Sequence, residues 1–342
     1  MSVQFTKVRN SPSDSVSVMR YGVALGTPPT ISSLNYSVGD TLGGGQDIII
    51  TGTGIDAGTT ASIGGVPLVR TGWGPTFFSG TLGARAAGVV NVVLTNSYGS
   101  ATLVGGFEYW DPSVETTCNL FAEKPNYDGG TGTWSRRVGA SDITKLLGTN
   151  PTSSAGAPTF NATGCLSTNT LVDTLLPFAG GTVMCVVNPS SEDNPEASAA
   201  TPYANKAIWS KQGSGPFELW NATDGVNHWF GTSAYDSTLG SYIIARRNST
   251  NLPGSPHAVV STYKQANWIR ISVDGSSLAS SSTPLSGTAT SITGFPLILG
   301  ADYSLTNGFS GTMLAFVTMN ADATDTIATK FYQWSRQRLG VT

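Results

Sequence analysis

Charge is what this chain has least of. Of its 342 residues only 18 are Lys or Arg and 21 are Asp or Glu, so charged residues make up 11%, against roughly 25% in an ordinary soluble domain. The net charge of −3 offers no cationic field for a polyanion, and nucleic acid is not an expected partner. Histidine is scarcer still. His228 and His257 are the only two, little material for a His-ligated metal site or a Ser-His-Asp triad, and His257, which opens a strand-like run, reads as structural. Three Cys cannot all pair within one chain, and Cys185, inside the apolar run Val183 to Val187, reads as a small buried hydrophobe. No apolar run approaches the ~20 residues that cross a bilayer, and residues 1–28 carry no signal-peptide core. The expectation is a chain made in a cytoplasm and without membrane insertion. Asn35, Asn161, Asn221 and Asn248 head Asn-x-Ser/Thr triplets, which read as chance in a chain this rich in Asn, Ser and Thr.

What the chain does have is apolar and aromatic material broken into short pieces. Hydrophobic residues make up 39%, with 13 Phe, 11 Tyr and 8 Trp, and 41 Gly and 18 Pro punctuate the runs. That pattern marks an all-β chain with many turns, and the length suggests about two domains.

The stretch from His257 to Trp334 is the most legible. Ile269, Ile271 and Val273 alternate with Trp268, Arg270 and Ser272, the period of a strand buried on one side. Asp274-Gly275 then makes a hairpin turn. Leu297-Ile298-Leu299 precedes Gly300, and Phe309-Ser310-Gly311 precedes the run Met313 to Met319, which is too continuous for a half-wet strand and is expected as an inner strand of two packed sheets. The end switches to helical spacing: Ile327, Phe331 and Trp334 share a face, Asp325 stands near the start, and Arg336 and Arg338 precede Gly340.

This succession resembles the end of a laminin-G-like, concanavalin A-like jelly roll. CNLFAEKPNYDGGTGTWSRRVGASD, APTFNATGCLSTNT and GGTVMCVVNP are similar to the opening of the same family, which places that domain at 113–342. Upstream, PTISSL, Gly43-Gly44-Gly45, DIIITGTGI, ASIGGVPL, GVVNVVLTNSYGSA and GGFEY are alternating strands between Gly-rich turns. They resemble the immunoglobulin-like IPT/TIG domain over 29–110, departing from it at Arg70 to Leu82, where the family tends to a Pro-rich run. Residues 1–28 hold two strand-like pieces, VQFTKV and VSVMRYGVAL, that cannot close a core alone and read as an anchoring arm. The expected fold is therefore all-β: a small immunoglobulin-like β-sandwich, then a larger concanavalin A-like jelly-roll sandwich with a short C-terminal helix. Inside the jelly roll, Ile208 to Phe230 reads as two strands and Gly231 to Tyr242 as a loop.

Because the concanavalin A-like fold hosts glucanases, hydrolysis is the first chemistry to weigh. Retaining glycosidases need two carboxylates about 5 Å apart, which that family sets as Glu-x-Asp-x-(x)-Glu. None of the six Glu falls in this pattern, and the nearest cluster, Glu192 to Glu196, has the wrong order and contains Pro195. The expectation is no enzyme, with glycoside hydrolase the remote alternative. GDTLGGGQD is followed by neither Lys-Ser/Thr nor a helix, so it reads as a sandwich turn and not a phosphate cradle. Laminin-G-like domains often bind calcium at a loop rim, which makes Asp302 and Asn307 candidate Ca2+ ligands; turn capping by the same side chains is the competing reading. Sugar binding needs aromatic platforms beside polar groups, and the candidates are Trp220, His228, Trp229, Tyr235 and Tyr303, with burial in the core as the competing role. The pairs Arg136-Arg137 and Arg246-Arg247 read as solvated loop or sheet-face residues.

An IPT/TIG-like module joined to a laminin-G-like jelly roll is similar to what is seen on the exterior of tailed bacteriophages, as capsid decoration, head fibres or tail appendages. The resemblance implies a non-enzymatic virion surface protein. Its residues 1–28 would dock on other virion proteins, it would form a homo-oligomer, and its jelly roll would touch cell-surface polysaccharide. A bacterial carbohydrate-binding or adhesion protein is the alternative.

Overall fold

In a computed structural model the described residues are 26–171, 175–176, 180–190, 206–211, 217–223, 228–236, 238–249, 254–286, 296–301 and 308–342. Most of the arm, and with it Glu192, Glu196, Asp302, Tyr303 and Asn307, lies outside them. The protein is all-β with one C-terminal helix of 15 residues, Asp325–Leu339.

Two small sheets lie entirely between residues 33 and 109. One has four strands in the order Ser33–Leu34, Ile48–Thr51, Phe77–Thr81, Val69–Gly74; the other has five, in which Val38–Gly39 runs parallel to Gly99–Tyr109. The sequence alternates, so Ile48, Ile50, Phe78, Val92, Leu94 and Phe107 point between the sheets and are buried, as expected for a sandwich wetted on its outer faces. Residue 26 enters this unit against the ring of Tyr98. Asn96 then ties the following turn: its Nδ2 donates to Thr27 O and Gly54 O, and its Oδ1 accepts from the N–H groups of Tyr98 and Gly99.

The larger unit is a single hydrogen-bonded sheet of 16 strands between residues 118 and 319, with Ser241–Ser249 at one end of the pairing order and Ala279–Ser280 at the other. It doubles back so that the end strand Ser241–Ser249 packs against Trp268–Val273. Between the facing halves lies a core that includes Trp134, Trp209, Phe230, Ile271, Phe309 and Phe316. The strands Gly180–Pro189 and Ser310–Met319 pair through eight residues of each. Both are apolar on both faces because both faces are covered. Val183, Cys185 and Val187 join the inner core, whereas Met184, Val186 and Val317 turn to a second cluster under the helix. The run Met313 to Met319 is thus an inner strand, as its continuity required.

The helix closes that second cluster as its spacing predicted. Thr324 caps it, with Oγ1 accepting from Ile327 N; Gly340, at φ 77°, ends it, and Gly340 N returns to Arg336 O. These are the usual Ser/Thr N-cap and left-handed glycine terminus. Phe331 and Trp334 stack at 5.6 Å, and Trp334 meets Phe121 edge-on at 5.6 Å.

One segment departs from its expected form. Gly231 to Tyr242 is not a loop: His228–Asp236 and Ser241–Ser249 form an antiparallel hairpin paired through nine residues of each strand. Within the first strand Gly231 and Ser233 are small beside Trp220 of the neighbouring strand. A Cβ on Gly231 would lie 2.2 Å from the Trp220 ring, so glycine there lets an indole cover the strand.

Candidate functional site

Three groupings of polar side chains bear on function, and the first is a cleft at the side of the larger unit. Among the described residues the strand Ser241–Ser249 has a hydrogen-bonded neighbour on one side only. Along it runs a cleft of about 390 Å³ lined by Tyr242, Ile243, Ile244, Ala245 and Arg246, with Ser280, Ser282 and Thr283 opposite. Strand register places Tyr242 across from Tyr235, Ile244 across from Ser233, Arg246 across from Gly231 and Asn248 across from Trp229, so these pairs share one face. The rings of Tyr235 and Tyr242 meet at 5.2 Å, both half-buried. Arg246 is exposed, its guanidinium 5.5 Å from the Trp229 ring centre. Ser280 on the opposite wall accepts at 3.0 Å from Nε of Arg270, whose guanidinium stacks on Trp268 at 3.9 Å. Arg247, on the opposite face of the strand, bonds through Nη2 to Ser277 O and, at 3.0 Å, Ser277 Oγ.

The structure brings four of the five predicted sugar-contacting residues onto one hairpin and its neighbour, but in two different states. Trp220 and Trp229 are 2% and 5% exposed and pack together with Ile244, so the expected platforms are core side chains of this face; Trp220 Nε1 lies 3.4 Å from Ser233 Oγ. Tyr235 stays half-buried beside Tyr242, and His228 is half-buried at the far end of the strand. Tyr303, like the candidate calcium ligands Asp302 and Asn307, lies outside the described residues. Among the described residues no group of three His, Cys, Asp or Glu side chains could hold a metal ion. Sequence reasoning passed over Tyr242, Ser280, Ser282 and Thr283. The one available signal was the spacing of Tyr242, Ile244 and Arg246 along a strand, hidden by reading its start as a loop.

The second grouping joins the two sandwiches. Arg137, expected in solvent, is instead buried at 13% side-chain exposure among three carboxylates: Glu123 at 2.7 Å, Asp40 at 3.0 Å and Asp111 at 3.1 Å, each 1% exposed or less. The correction has a simple cause: its partners come from positions distant in sequence, so nothing beside it marks it as paired. Arg338 from the helix adds contacts of 3.4 Å to Glu123 and 3.7 Å to Asp40. Trp334 Nε1 donates to Asp40 Oδ2 at 2.8 Å, and Asp111 also accepts from the hydroxyls of Thr41 and Ser113. Burial pushes the Glu123 carboxyl up against the pull of both arginines. Burial acts in the same direction on Asp111, but hydrogen bonds from Ser113 and Thr41 and the Arg137 charge together bring it below the usual range. Gly43, Gly44 and Gly45, all at φ between 70° and 79°, carry the turn that meets the helix end. Gln46 N donates to Gln337 O at 2.6 Å, and a Cβ on Gly45 would lie 2.4 Å from that same oxygen. The triplet is a sandwich turn, as its sequence suggested, and also a docking surface.

The third grouping is a relay that the sequence gave no reason to assemble. His257, 5% exposed, has Nδ1 2.7 Å from Asp274 Oδ2 and Nε2 3.3 Å from Ser255 Oγ. Nucleophilic catalysis also needs N–H donors aimed at an oxyanion. Two nearby N–H groups already have acceptors: Gly254 N donates to Pro189 O and Ala258 N to Asp274 Oδ1. The arrangement satisfies a buried imidazole on both nitrogens, in keeping with the structural role expected for His257.

No family model matches the chain, and neither does any curated protein. Among solved structures, the receptor-binding domain of botulinum neurotoxin mosaic serotype C/D is similar at 10% identity and a TM-score of 0.44, over 64% of this chain and 50% of its own length. Domain 4 of AbnA, a GH43 extracellular arabinanase from Geobacillus stearothermophilus in complex with arabinotriose, is similar at 11% identity and a TM-score of 0.39, over 63% of this chain and 99% of its own. The CBM40 of the Ruminococcus gnavus IT-sialidase is similar at 12% identity and a TM-score of 0.35, over 44% and 81%. The chain spans about half the length of the toxin binding domains it is similar to.

Proposed function

We propose that this chain is a non-enzymatic surface protein that binds carbohydrate through the larger sandwich. The observation that carries the reading is the cleft along Ser241–Ser249, with a tyrosine pair at one end, a guanidinium at the other and a wall of hydroxyls opposite. Sugars present both apolar ring faces and dense hydroxyl groups, so they are recognised by aromatic surface beside convergent donors and acceptors.

We place the protein on the exterior of a bacteriophage particle, as capsid decoration, head fibre or tail appendage. This rests on the resemblance of its two modules and on a composition poor in charge. The buried ion cluster between the sandwiches supports a rigid spacer-and-reader arrangement, in which one sandwich fixes the orientation of the other. A homo-oligomer docked through residues 1–28 completes the proposal. A bacterial adhesion or carbohydrate-binding protein shares the same cleft; a gene neighbourhood of polysaccharide-use genes in place of capsid and tail genes would favour it.

The test is a printed glycan array probed with the full chain and with Tyr242→Ala. Saturable binding to a subset of glycans, lost in the variant while its melting temperature holds, is the expected result. Retention of no glycan contradicts the reading. Release of reducing ends from a β-glucan panel would contradict its non-enzymatic part.

A further inference from the structure

We propose that residues 1–25 of one copy dock on the outer end of another copy's small sandwich, at a surface made by Trp73, Phe77 and Tyr98; the inference rests on the homo-oligomer reading above and names the surface that receives the arm. Among the described residues these three are the exposed aromatic side chains, at 43%, 39% and 47%, and all stand at one end of one domain. Gly74 pairs with Phe77 across a tight turn, and Thr76 O in that turn accepts from Gly52 N. Gly54 O accepts from Asn96 Nδ2, and the turn that Asn96 opens carries Tyr98. Residues 52–54 therefore join the two turns. From Tyr98 the strand Gly99–Tyr109 runs 11 residues, about 35 Å, to Trp110 and to Asp111, which meets Arg137 at the junction with the larger sandwich. The aromatic end is thus the one turned away from that junction.

Single exposed apolar residues need no explanation, but aromatic rings gathered at one end mark a contact surface, and Trp and Tyr are the side chains that most often anchor one. Phe77 is seated in advance: a Cβ on Gly74 would lie 2.6 Å from its ring, so glycine lets the ring lie close on the sheet. The described chain starts at this same end, with Gly26 against the Tyr98 ring and residues 1–25 ahead of it. Those residues place Val3 and Phe5, Val16 and Val18, and Tyr21 and Val23 at alternate positions, and fully extended they span at most about 80 Å. They are also cationic, with Lys7, Arg9 and Arg20 against Asp14, in a chain of net charge −3, so an arm is drawn to the acidic body of another copy. The chain's own arm leaves from the wrong edge to cover the whole surface. It enters beside Ser33–Leu34, at one edge of the four-stranded sheet, whereas Phe77 and Trp73 belong to the two strands at the opposite edge. Covering them from within would mean doubling back across the end of the sheet; exchange between copies avoids this at little cost, because each copy gives and receives the same contacts.

Sedimentation velocity over a concentration series tests the proposal, with the wild type and two variants of the full chain. Trp73→Gln with Phe77→Gln removes the receiving surface, and Phe5→Asp with Val18→Asp spoils the arm. The wild type should associate, and each variant alone should associate at least about tenfold more weakly. The two variants mixed should associate with each other, since one keeps its arm and the other keeps its surface. Trp73→Gln and Phe77→Gln are also made singly, and melting temperatures show that the proteins compared are folded. A wild type that is monomeric throughout overturns the inference together with the homo-oligomer reading. Association undiminished in either variant overturns the inference alone. So does a mixture that stays apart, which would put the arm on its own chain.

Discussion

Arg137 provides the sharpest test of how the two sandwiches are held. Its guanidinium neutralises Asp40, Asp111 and Glu123 at 2.7 to 3.1 Å, all at 1% exposure or less. Replacing a whole buried ion network by apolar groups can be harmless, but removing one partner leaves charge uncompensated at a cost of roughly 3–5 kcal/mol. In Arg137→Met two carboxylates keep Arg338 and Trp334 as partners, and Asp111 keeps Thr41 and Ser113. We therefore expect the lower end, about 3 kcal/mol. At about 2–4 °C per kcal/mol for larger domains, the melting transition should fall by roughly 6–12 °C. Urea unfolding followed by tryptophan fluorescence reads the same loss, since Trp110 and Trp334 are buried beside the cluster. Lys145→Gln, a control at an exposed strand position, should stay within about 0.5 kcal/mol. If Arg137→Met destabilises no more than this control, the cluster does not hold the sandwiches together and the reasoning fails.

The same cluster makes a signed statement about pH. The folded carboxyl of Asp111 lies below its ordinary value, so its contribution is present above the unfolded carboxylate range and is lost as pH falls through the folded value. Glu123 lies above its ordinary value, so its ionised form is disfavoured and the penalty is relieved as pH falls. At pH 7 Asp111→Asn should destabilise more than Glu123→Gln in urea titrations, the gap narrowing toward pH 3; the reverse order at pH 7 would contradict the assignment. Trp334→Ala removes a fully buried ring that stacks on Phe331 and bonds Asp40, and should cost roughly 3–5 kcal/mol; an unchanged denaturation midpoint would contradict the helix's sealing role. Deleting residues 1–26 should leave the melting transition in place, because the Asn96 hydrogen bonds begin at Thr27, while abolishing incorporation into an assembly. A truncated chain that melts much earlier yet still associates would contradict the anchoring role.

Elements whose partners are local or periodic were legible from the residues alone. Ile269, Ile271 and Val273 announce a one-sided strand, and Ile327, Phe331 and Trp334 a helix face, because burial repeats with the element's own period. The hairpin after His228 was not legible, since the bulk beside Gly231 and Ser233 belongs to Trp220 on the adjacent strand. For the same reason Trp220 and Trp229 were expected as sugar platforms: an aromatic-rich stretch looks alike whether its rings meet solvent or each other. Arg137 defeated local reading altogether, because its counter-charges stand at positions 40, 111 and 123. The cleft was half legible. Tyr235 was found, but the opposite wall at Ser280, Ser282 and Thr283 becomes adjacent only when the sheet doubles back.

The central claim is that carbohydrate is bound at the edge of the larger sandwich and that the junction serves to hold that sandwich in place. Binding isotherms of one retained glycan for the wild type, for Tyr242→Ala with Arg246→Ala, and for Arg137→Met, each measured well below its melting temperature, test it most directly. The account predicts that the cleft variant loses binding at least a hundredfold, about tenfold for each contact, with little change in stability, while Arg137→Met loses stability and keeps its affinity. Full affinity in the cleft variant, or affinity lost with Arg137 while the protein remains folded, would contradict it.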